Sequence, residues 1–287
     1  MSKPRILLML DTDLQPSVFD AVVAADAGVV HLLRHGGVTA ENVRDLVYGA
    51  MFTRGGDDLK HSAIFIGGSD VAAAEAVSRA VRDTFFGPVR NSVMLDPNGS
   101  NTTAAAAVLA ASRHVSLRGT TATVLGGTGP VGRRAALFLA REGASVRVAS
   151  RSRDRADEVC RTVASKVPES NLEPYATGDE ESLRQILAGA AVVIAAGAAG
   201  VELLPENVRR STDALRVGID LNAVPPAGIG GIAVHDKATA RDGCICYGAV
   251  GVGSTKMKIH KAALGQLFEA NDLFLDAEEI FEIARGV

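Results

Sequence analysis

The residues with the clearest chemical use lie near the middle of the chain. Gly127-x-Gly129-x-x-Gly132 follows the apolar run Ala122–Leu125 and opens a segment with helical spacing. A second apolar run ends about twenty residues further on. This is the context in which a glycine-rich turn cradles a dinucleotide. Gly127 allows the tight turn, Gly129 lets a pyrophosphate approach the backbone, and Gly132 lets the helix sit close to the strand. Free N–H groups at the helix start, with the positive end of its dipole, then face the phosphates. Residues Thr128, Pro130 and Val131 complete the loop.

The end of the second apolar run sorts the cofactors. An NAD site usually places Asp or Glu there for the ribose 2′-hydroxyl. This chain has Ser150-Arg151-Ser152-Arg153, with no carboxylate. Arginine suits a bidentate phosphate contact, so Ser150, Arg151 and Arg153 favour NADP over NAD. Ala196 and Gly197 end a later apolar run, where small residues would let a nicotinamide ribose approach. Asn222, in Asp220-Leu-Asn-Ala-Val-Pro225-Pro226, ends another; a functional loop and a proline-stiffened turn fit that stretch equally. These three join the expected cofactor contacts.

Other features are weaker. Asp11, Asp13 and Asp20 cluster near the start, where acid–base work and helix capping are both open. Lys256 and His260 are four residues apart on one helix face. No His/Cys/Asp group has metal-ligand spacing, and no metal is expected. Cys160, Cys244 and Cys246 give neither a disulfide framework nor a zinc site. Their bland reading is core packing in a reducing compartment.

The elements that must position these groups alternate. Apolar runs at 6–10, 29–33, 63–66 and 93–95 are predicted strands, and 17–26, 40–51 and 70–85 predicted helices. On the first helix Val18, Ala21, Val22 and Ala25 share a face. The turn-rich 96–101 loop precedes an alanine-rich helix over 103–112, with Ser100, Asn101 and Thr102 as candidate N-caps. After a boundary near Gly119 the alternation restarts, with strands at 122–125, 146–149, 191–196, 215–221 and 244–252. Helices are expected at 132–142, 154–166, 256–268 and 276–285. Such alternation predicts parallel sheets. The expected architecture is α/β: a Rossmann-type NADP domain over 106–257, beside a smaller α/β substrate domain over 1–105 joined by the C-terminal helices from about 258 to 287.

Composition sets limits. The 287 residues carry a net charge of −3, 4% aromatics and no Trp, which argues against a nucleic-acid footprint. The longest apolar run, Leu187–Val201, is too short for a membrane span and holds three glycines. With no targeting segment legible, a cytoplasmic enzyme with a small-molecule partner, and neither nucleic acid nor membrane, is expected.

Several stretches resemble the bacterial methylene-tetrahydromethanopterin dehydrogenases. They are Asp11-Thr-Asp-x-x-Pro16-Ser-Val-Phe-Asp20, Phe65-Ile-Gly-Gly68, Met94–Thr103, Gly126–Gly132, Asp220–Gly231 and Gly253–His260. The resemblance implies a substrate domain beside a Rossmann domain with a cleft between. It implies reversible NADP-dependent oxidation of a methylene-tetrahydropterin to the methenyl form in one-carbon metabolism, with methylene-tetrahydromethanopterin as substrate and the use of methylene-tetrahydrofolate left open. It also implies a homo-oligomer, trimeric or hexameric. It makes Lys256 and Asp20 the catalytic pair, and Asp20, Asn98, Asn101, Thr102, Lys256 and His260 the pterin contacts. Removing hydride from a carbon between two nitrogens leaves a delocalised cation and moves no proton, so a sparse catalytic set suffices. Two rival readings remain: another two-domain NADP dehydrogenase of the shikimate or methylene-tetrahydrofolate type, and a non-catalytic NADP-binding sensor.

Overall fold

The computed structural model describes residues 3–287. The chain forms two units, one running to Thr102 and taking in Met257–Val287, the other Thr103–Lys256.

The first unit opens with β1 (Ile6–Asp11), α1 (Val18–Asp26), β2 (His31–His35), α2 (Arg44–Met51), β3 (Ser62–Gly67), α3 (Val71–Thr84) and β4 (Ser92–Leu95). β3 and β4 are buried throughout and β1 nearly so, as strands covered on both faces must be. α4 (Ser100–Ser112) then leads into the second unit.

The second unit contains β5 (Thr121–Leu125), α5 (Pro130–Arg141), β6 (Ser145–Ser150), α6 (Arg153–Lys166), β7 (Asn171–Ala176), α7 (Glu180–Leu187), β8 (Val192–Ala195), α8 (Glu206–Arg210), β9 (Val217–Asp220), β10 (Thr239–Arg241) and β11 (Cys244–Tyr247). Its seven-stranded sheet has the order β10-β11-β9-β8-β5-β6-β7. Every pairing is parallel except that of β10 with β11. The order steps outward from β5 in both directions, the doubly wound arrangement of a dinucleotide-binding sheet. α9 (Ala249–Gln266) returns the chain to the first unit, where β12 (Phe274–Leu275) and α10 (Ala277–Arg285) end it. β12 pairs parallel with β4 and completes a five-stranded sheet, β12-β4-β3-β1-β2.

Several local expectations need correction. On α1 the buried residues are Ala21, Val23 and Ala24, whereas Val18 and Val22 are 68% and 55% exposed. Helical spacing identified a stripe, but not the one the sheet covers. Ser100, Asn101 and Thr102 are not N-caps. They lie inside α4, and Asp96 caps it by accepting from the N–H groups of Asn101 (2.8 Å) and Thr102 (3.2 Å). The stretch 244–252 is not one strand, because β11 stops at Tyr247 and α9 begins two residues later. β7 escaped the sequence reading altogether. It is a sheet edge with a broken burial pattern, and its Pro174 is tolerated where the backbone need donate to only one side.

The three cysteines are free and buried. Cys244 and Cys246 sit in the second unit's hydrophobic cluster with Val193, Leu204 and Ile229. β10 and β11 are joined by Asp242-Gly243, both at positive φ (49° and 78°), the two-residue geometry that favours Asp-Gly. Among the described residues no helix is long and apolar enough to cross a membrane, and no group of three or more His, Cys, Asp or Glu could hold a metal ion.

The segment before β10 is fastened by one carboxylate. Buried Asp236 accepts from Arg241 Nε (2.6 Å) and Nη2 (2.7 Å) and from the N–H of Ala233 (2.8 Å). The arginine, above all, holds its pKa below the ordinary 3.8. A depressed acid contributes stability that is complete above its unfolded value and is lost as the pH falls through the folded one. Urea unfolding midpoints measured from pH 6 downward should therefore drop below about pH 4 in the wild type. Asp236→Asn should be less stable at pH 6 and show a shallower acid decline; an unchanged profile would contradict this assignment.

Candidate functional site

The turn between β5 and α5 is built by close backbone contacts. Gly126 has φ of 70°, so it, and not Gly127, is the residue that takes the left-handed conformation. The sequence reading gave the turn to Gly127 and left Gly126 out; the doubled glycine after an apolar strand was the available signal. A Cβ on Gly127 would come within 2.7 Å of Val148 Cγ1 on β6, so Gly127 makes room for the neighbouring strand. A Cβ on Gly132 would lie 2.6 Å from the carbonyl oxygen of Gly126 and 2.7 Å from Gly127 Cα. The first turn of α5 therefore presses directly on the loop, as expected for the third glycine. At Gly129 an added Cβ meets nothing closer than 3.5 Å. A methyl group there would make only ordinary van der Waals contact with the carbonyl oxygens of Ala196 and Gly126. Pro130 occupies the first turn of α5, where its missing N–H costs nothing.

The loop is tied to the end of β6. Thr128 Oγ1 is 3.2 Å from Ser150 Oγ, and Arg133 Nε donates to the Thr128 carbonyl at 2.9 Å. Ser150 is nearly buried, while Arg151 and Arg153 are exposed at the strand's carboxyl end. Ser152 caps α6 by accepting from the N–H of Arg155. The β6 end thus presents a hydroxyl and two guanidiniums with no carboxylate before Asp154, a donor set that fits a phosphate. Val131 is half-buried in the first turn of α5.

Two further loops lie at the carboxyl ends of β8 and β9. Ala196 and Gly197 follow β8, and a Cβ on Gly126 would fall 2.6 Å from Gly197 Cα. After β9, Asn222 acts as a clip. Its Oδ1 accepts from the N–H groups of Gly200 (3.3 Å) and Val224 (3.0 Å), and its Nδ2 donates to the Pro226 carbonyl (2.8 Å). The expected direct cofactor contact is thus engaged with the protein's own loops. Asp220, 2% exposed, accepts from the N–H groups of Asn222 (3.0 Å), Gly228 (2.8 Å) and Ile229 (3.2 Å). Burial raises its pKa despite these bonds.

In the first unit, the carboxyl ends of β1, β3 and β4 bring together Asp11, Asp13, Gly67, Gly68 and the 96–102 segment. Asp11 accepts from the N–H groups of Asp13 and Ser17, both at 2.9 Å, and Asp13 accepts from Ser69 Oγ at 2.7 Å. Both aspartates organise loops. Of the expected substrate contacts in this segment only Asn98 is exposed, at φ of 54°, its N–H bonded to the Gly68 carbonyl. Asn101 and Thr102 are wholly buried and turn inward. Asn101 Nδ2 donates to the Leu95 carbonyl (2.7 Å) and to Asp276 Oδ1 (3.1 Å), and the Thr102 hydroxyl donates to Asp96 Oδ2 (2.6 Å). Both side chains tie the end of β4 to α4 and α10.

The Asp20 side chain is 12% exposed, with Oδ1 3.9 Å from Nδ1 of His260. His260 is completely buried and stacks on Phe65, ring centroids 5.7 Å apart and planes 23° apart. Its ring stands behind Asp20 in the interior of the first unit. Lys256, one helical turn before it on α9, is half-buried.

The glycine contacts separate two kinds of substitution. Gly132→Ala should force α5 off the loop and cost about 1–3 kcal/mol, read as a lower urea midpoint together with lost binding of the reduced nicotinamide dinucleotide. Gly129→Ala should leave the stability within about 0.5 kcal/mol of wild type and weaken dinucleotide binding alone. Equal effects of the two would overturn this division of roles.

A family model described as methylene-tetrahydromethanopterin dehydrogenase, N-terminal, matches residues 18–98. Over 99% of both chains the protein is 44% identical to the bifunctional protein MdtA of Methylorubrum extorquens strain AM1. It is 32% identical, over 97% of both chains, to an NAD(P)-dependent methylenetetrahydromethanopterin dehydrogenase of the same organism. Among solved structures, a shikimate 5-dehydrogenase from Listeria monocytogenes is similar in fold, with a TM-score of 0.54 at 16% identity, covering 98% of this chain and 96% of that one. The chain belongs to the methylene-tetrahydromethanopterin dehydrogenase family.

Proposed function

We propose that the protein is an NAD(P)-dependent methylene-tetrahydromethanopterin dehydrogenase that prefers NADP. It oxidises the methylene bridge of the tetrahydropterin reversibly to the methenyl form, in one-carbon metabolism. The observation that carries the nucleotide preference is the end of β6, where Ser150, Arg151 and Arg153 stand beside the glycine loop with no carboxylate among them. Family membership carries the reaction and the pterin class.

In this reading the N–H groups at the start of α5, Gly129 and the 127–132 loop hold the pyrophosphate. Ser150, Arg151 and Arg153 hold the 2′-phosphate. NADP, when bound, supplies the hydride acceptor. The protein's own work is then to orient the reacting carbon, exclude water and balance charge. The Asp20 carboxylate, backed by buried His260, offers the negative charge that a cationic product needs. Lys256 orients the pterin by hydrogen bonding; its ammonium would oppose the reaction if it faced the developing cation.

The same reading makes the protein a cytoplasmic homo-oligomer. Val18, Phe19 and Val22, 51–68% exposed on α1 beside exposed Leu14, supply an apolar surface of the kind that meets another chain. At the far end of α1, Asp26 is paired with Lys261 at 2.7 Å.

The direct test mixes purified protein with methylene-tetrahydromethanopterin and NADP and follows NADPH and methenyl absorbance. The runs are then repeated with NAD and with methylene-tetrahydrofolate. Turnover with NADP well above NAD is expected; absence of turnover with either pterin would discard the reading. Arg151→Ala should raise KM for NADP by about 10–100-fold, the worth of one charged hydrogen bond, and leave KM for NAD unchanged. An equal change for both nucleotides would mean that Arg151 is only a surface charge. Lys256→Ala should lower kcat/KM for the pterin by roughly 100-fold while NADPH affinity stays constant. Loss of NADPH binding would remove Lys256 from the pterin site.

A further inference from the structure

The reading above assigns the phosphates but not what fixes the nicotinamide ring, on whose placement hydride transfer depends. In a doubly wound sheet the two halves of a dinucleotide lie on opposite sides of the point where strand order reverses. Here that point is between β5 and β8. The β6 side carries Ser150 and the arginines, so the nicotinamide half belongs over β8 and β9.

The loops after β8 and β9 are not independent. The Asn222 side chain spans them, accepting from Gly200 of the first and bonding Val224 and Pro226 of its own. Asp220 closes the base of the second loop through Asn222, Gly228 and Ile229. A Cβ on Gly228 would lie 2.6 Å from Asp220 Oδ1, so that closure admits no side chain. The first loop in turn abuts the phosphate turn through Gly126 and Gly197. A continuous set of contacts thus runs from the pyrophosphate loop to residues 223–226. What this bracing displays is apolar: Ala223, Val224, Pro225 and Pro226 are all exposed, Val224 by 51%. An exposed apolar tip on a loop with this much internal bonding is poorly explained as a solvent-facing turn. Two prolines with fixed φ make it a surface that moves little.

We propose that Asp220 and Asn222 are positioning residues. They hold Val224–Pro226 as a fixed apolar wall against one face of the nicotinamide ring, so that the hydride acceptor meets its donor in one orientation. Asp220 acts from the interior and touches no reactant. This inference rests on the reading that the chain uses a nicotinamide dinucleotide, and it is confined to the nicotinamide half of that molecule.

The test compares wild type, Asn222→Ala and Val224→Ser in three measurements. The first is the fluorescence of bound NADPH, which reports the environment of the reduced ring. The second is affinity for ADP-ribose, with or without its 2′-phosphate, matching the nucleotide the wild type uses and lacking the ring. The third is the hydride-transfer rate in a single turnover with saturating pterin. Asn222→Ala should lower that rate by about 10–100-fold, as expected for a misplacement near 1 Å. It should also reduce the fluorescence enhancement and leave ADP-ribose affinity within twofold of wild type. Val224→Ser, at an exposed position that leaves the bracing intact, should reduce the fluorescence enhancement with the same unchanged ADP-ribose affinity. Wild-type fluorescence in both variants would overturn the proposal, as would parallel loss of ADP-ribose affinity in both. Failure of the wild type to turn over any pterin would count against the proposed reaction alone, because the fluorescence and ADP-ribose measurements do not depend on the pterin.

Discussion

The architecture of the nucleotide-binding unit depends on one steric constraint, the backbone-to-backbone approach of α5 to the turn after β5. Gly132 sits so close to Gly126 and Gly127 that a single methyl group would not fit. That approach sets the start of α5, with its free N–H groups and the positive end of its dipole, directly after Gly129. It also leaves Gly126 against Gly197, so the turn fixes the loop after β8 as well as the helix. Through Asn222 the same constraint reaches the loop after β9. The ends of β5 and β8 meet where side chains are absent, and the end of β9 is joined to them by the Asn222 side chain. This makes the glycines more than permissive residues, since each marks a contact that any other residue would push apart.

Carboxylates do the complementary work. Asp11, Asp96, Asp220 and Asp236 are buried, and each accepts two or more hydrogen bonds from backbone or side-chain donors. A buried carboxylate without such partners would cost several kcal/mol, so these groups are held in place by the loops they organise. Their duties are architectural, and they lie outside the chemistry as reactants. This agrees with a reaction that transfers a hydride and moves no proton, for which orientation and charge balance matter more than a general base.

Much of the fold was legible because the strands are buried on both faces and read as unbroken apolar runs. β1, β3 and β8 announce themselves this way, and Gly-Pro-Val-Gly after β5 marks the start of α5. β7 does not, because an edge strand can carry Asn, Glu and Pro where a central one cannot. The side of α1 that faces its sheet was also hidden. Val18 and Val22 share a stripe as readily as Ala21 and Ala24 do, and only packing reveals that Ala21, Val23 and Ala24 are the covered residues.

The sequence by itself determined the chemistry-bearing segments: the glycine loop, the Ser150–Arg153 strand end without a carboxylate, and the motifs that mark the family. These are local, because a turn, a helix start and a strand end are each set within about ten residues. What only the tertiary structure decided was the direction in which polar side chains turn. Asn101 and Asn222 are both asparagines in stretches of sequence rich in turn residues. One bonds Asp276, 175 positions away, and the other bonds Gly200, 22 positions back. Hydrogen-bond partners at such separations follow from how strands order within a sheet, which no spacing along the chain encodes. For that reason the inward turn of Asn101, Thr102 and His260, all fully buried, is a property of the folded protein that the sequence does not display.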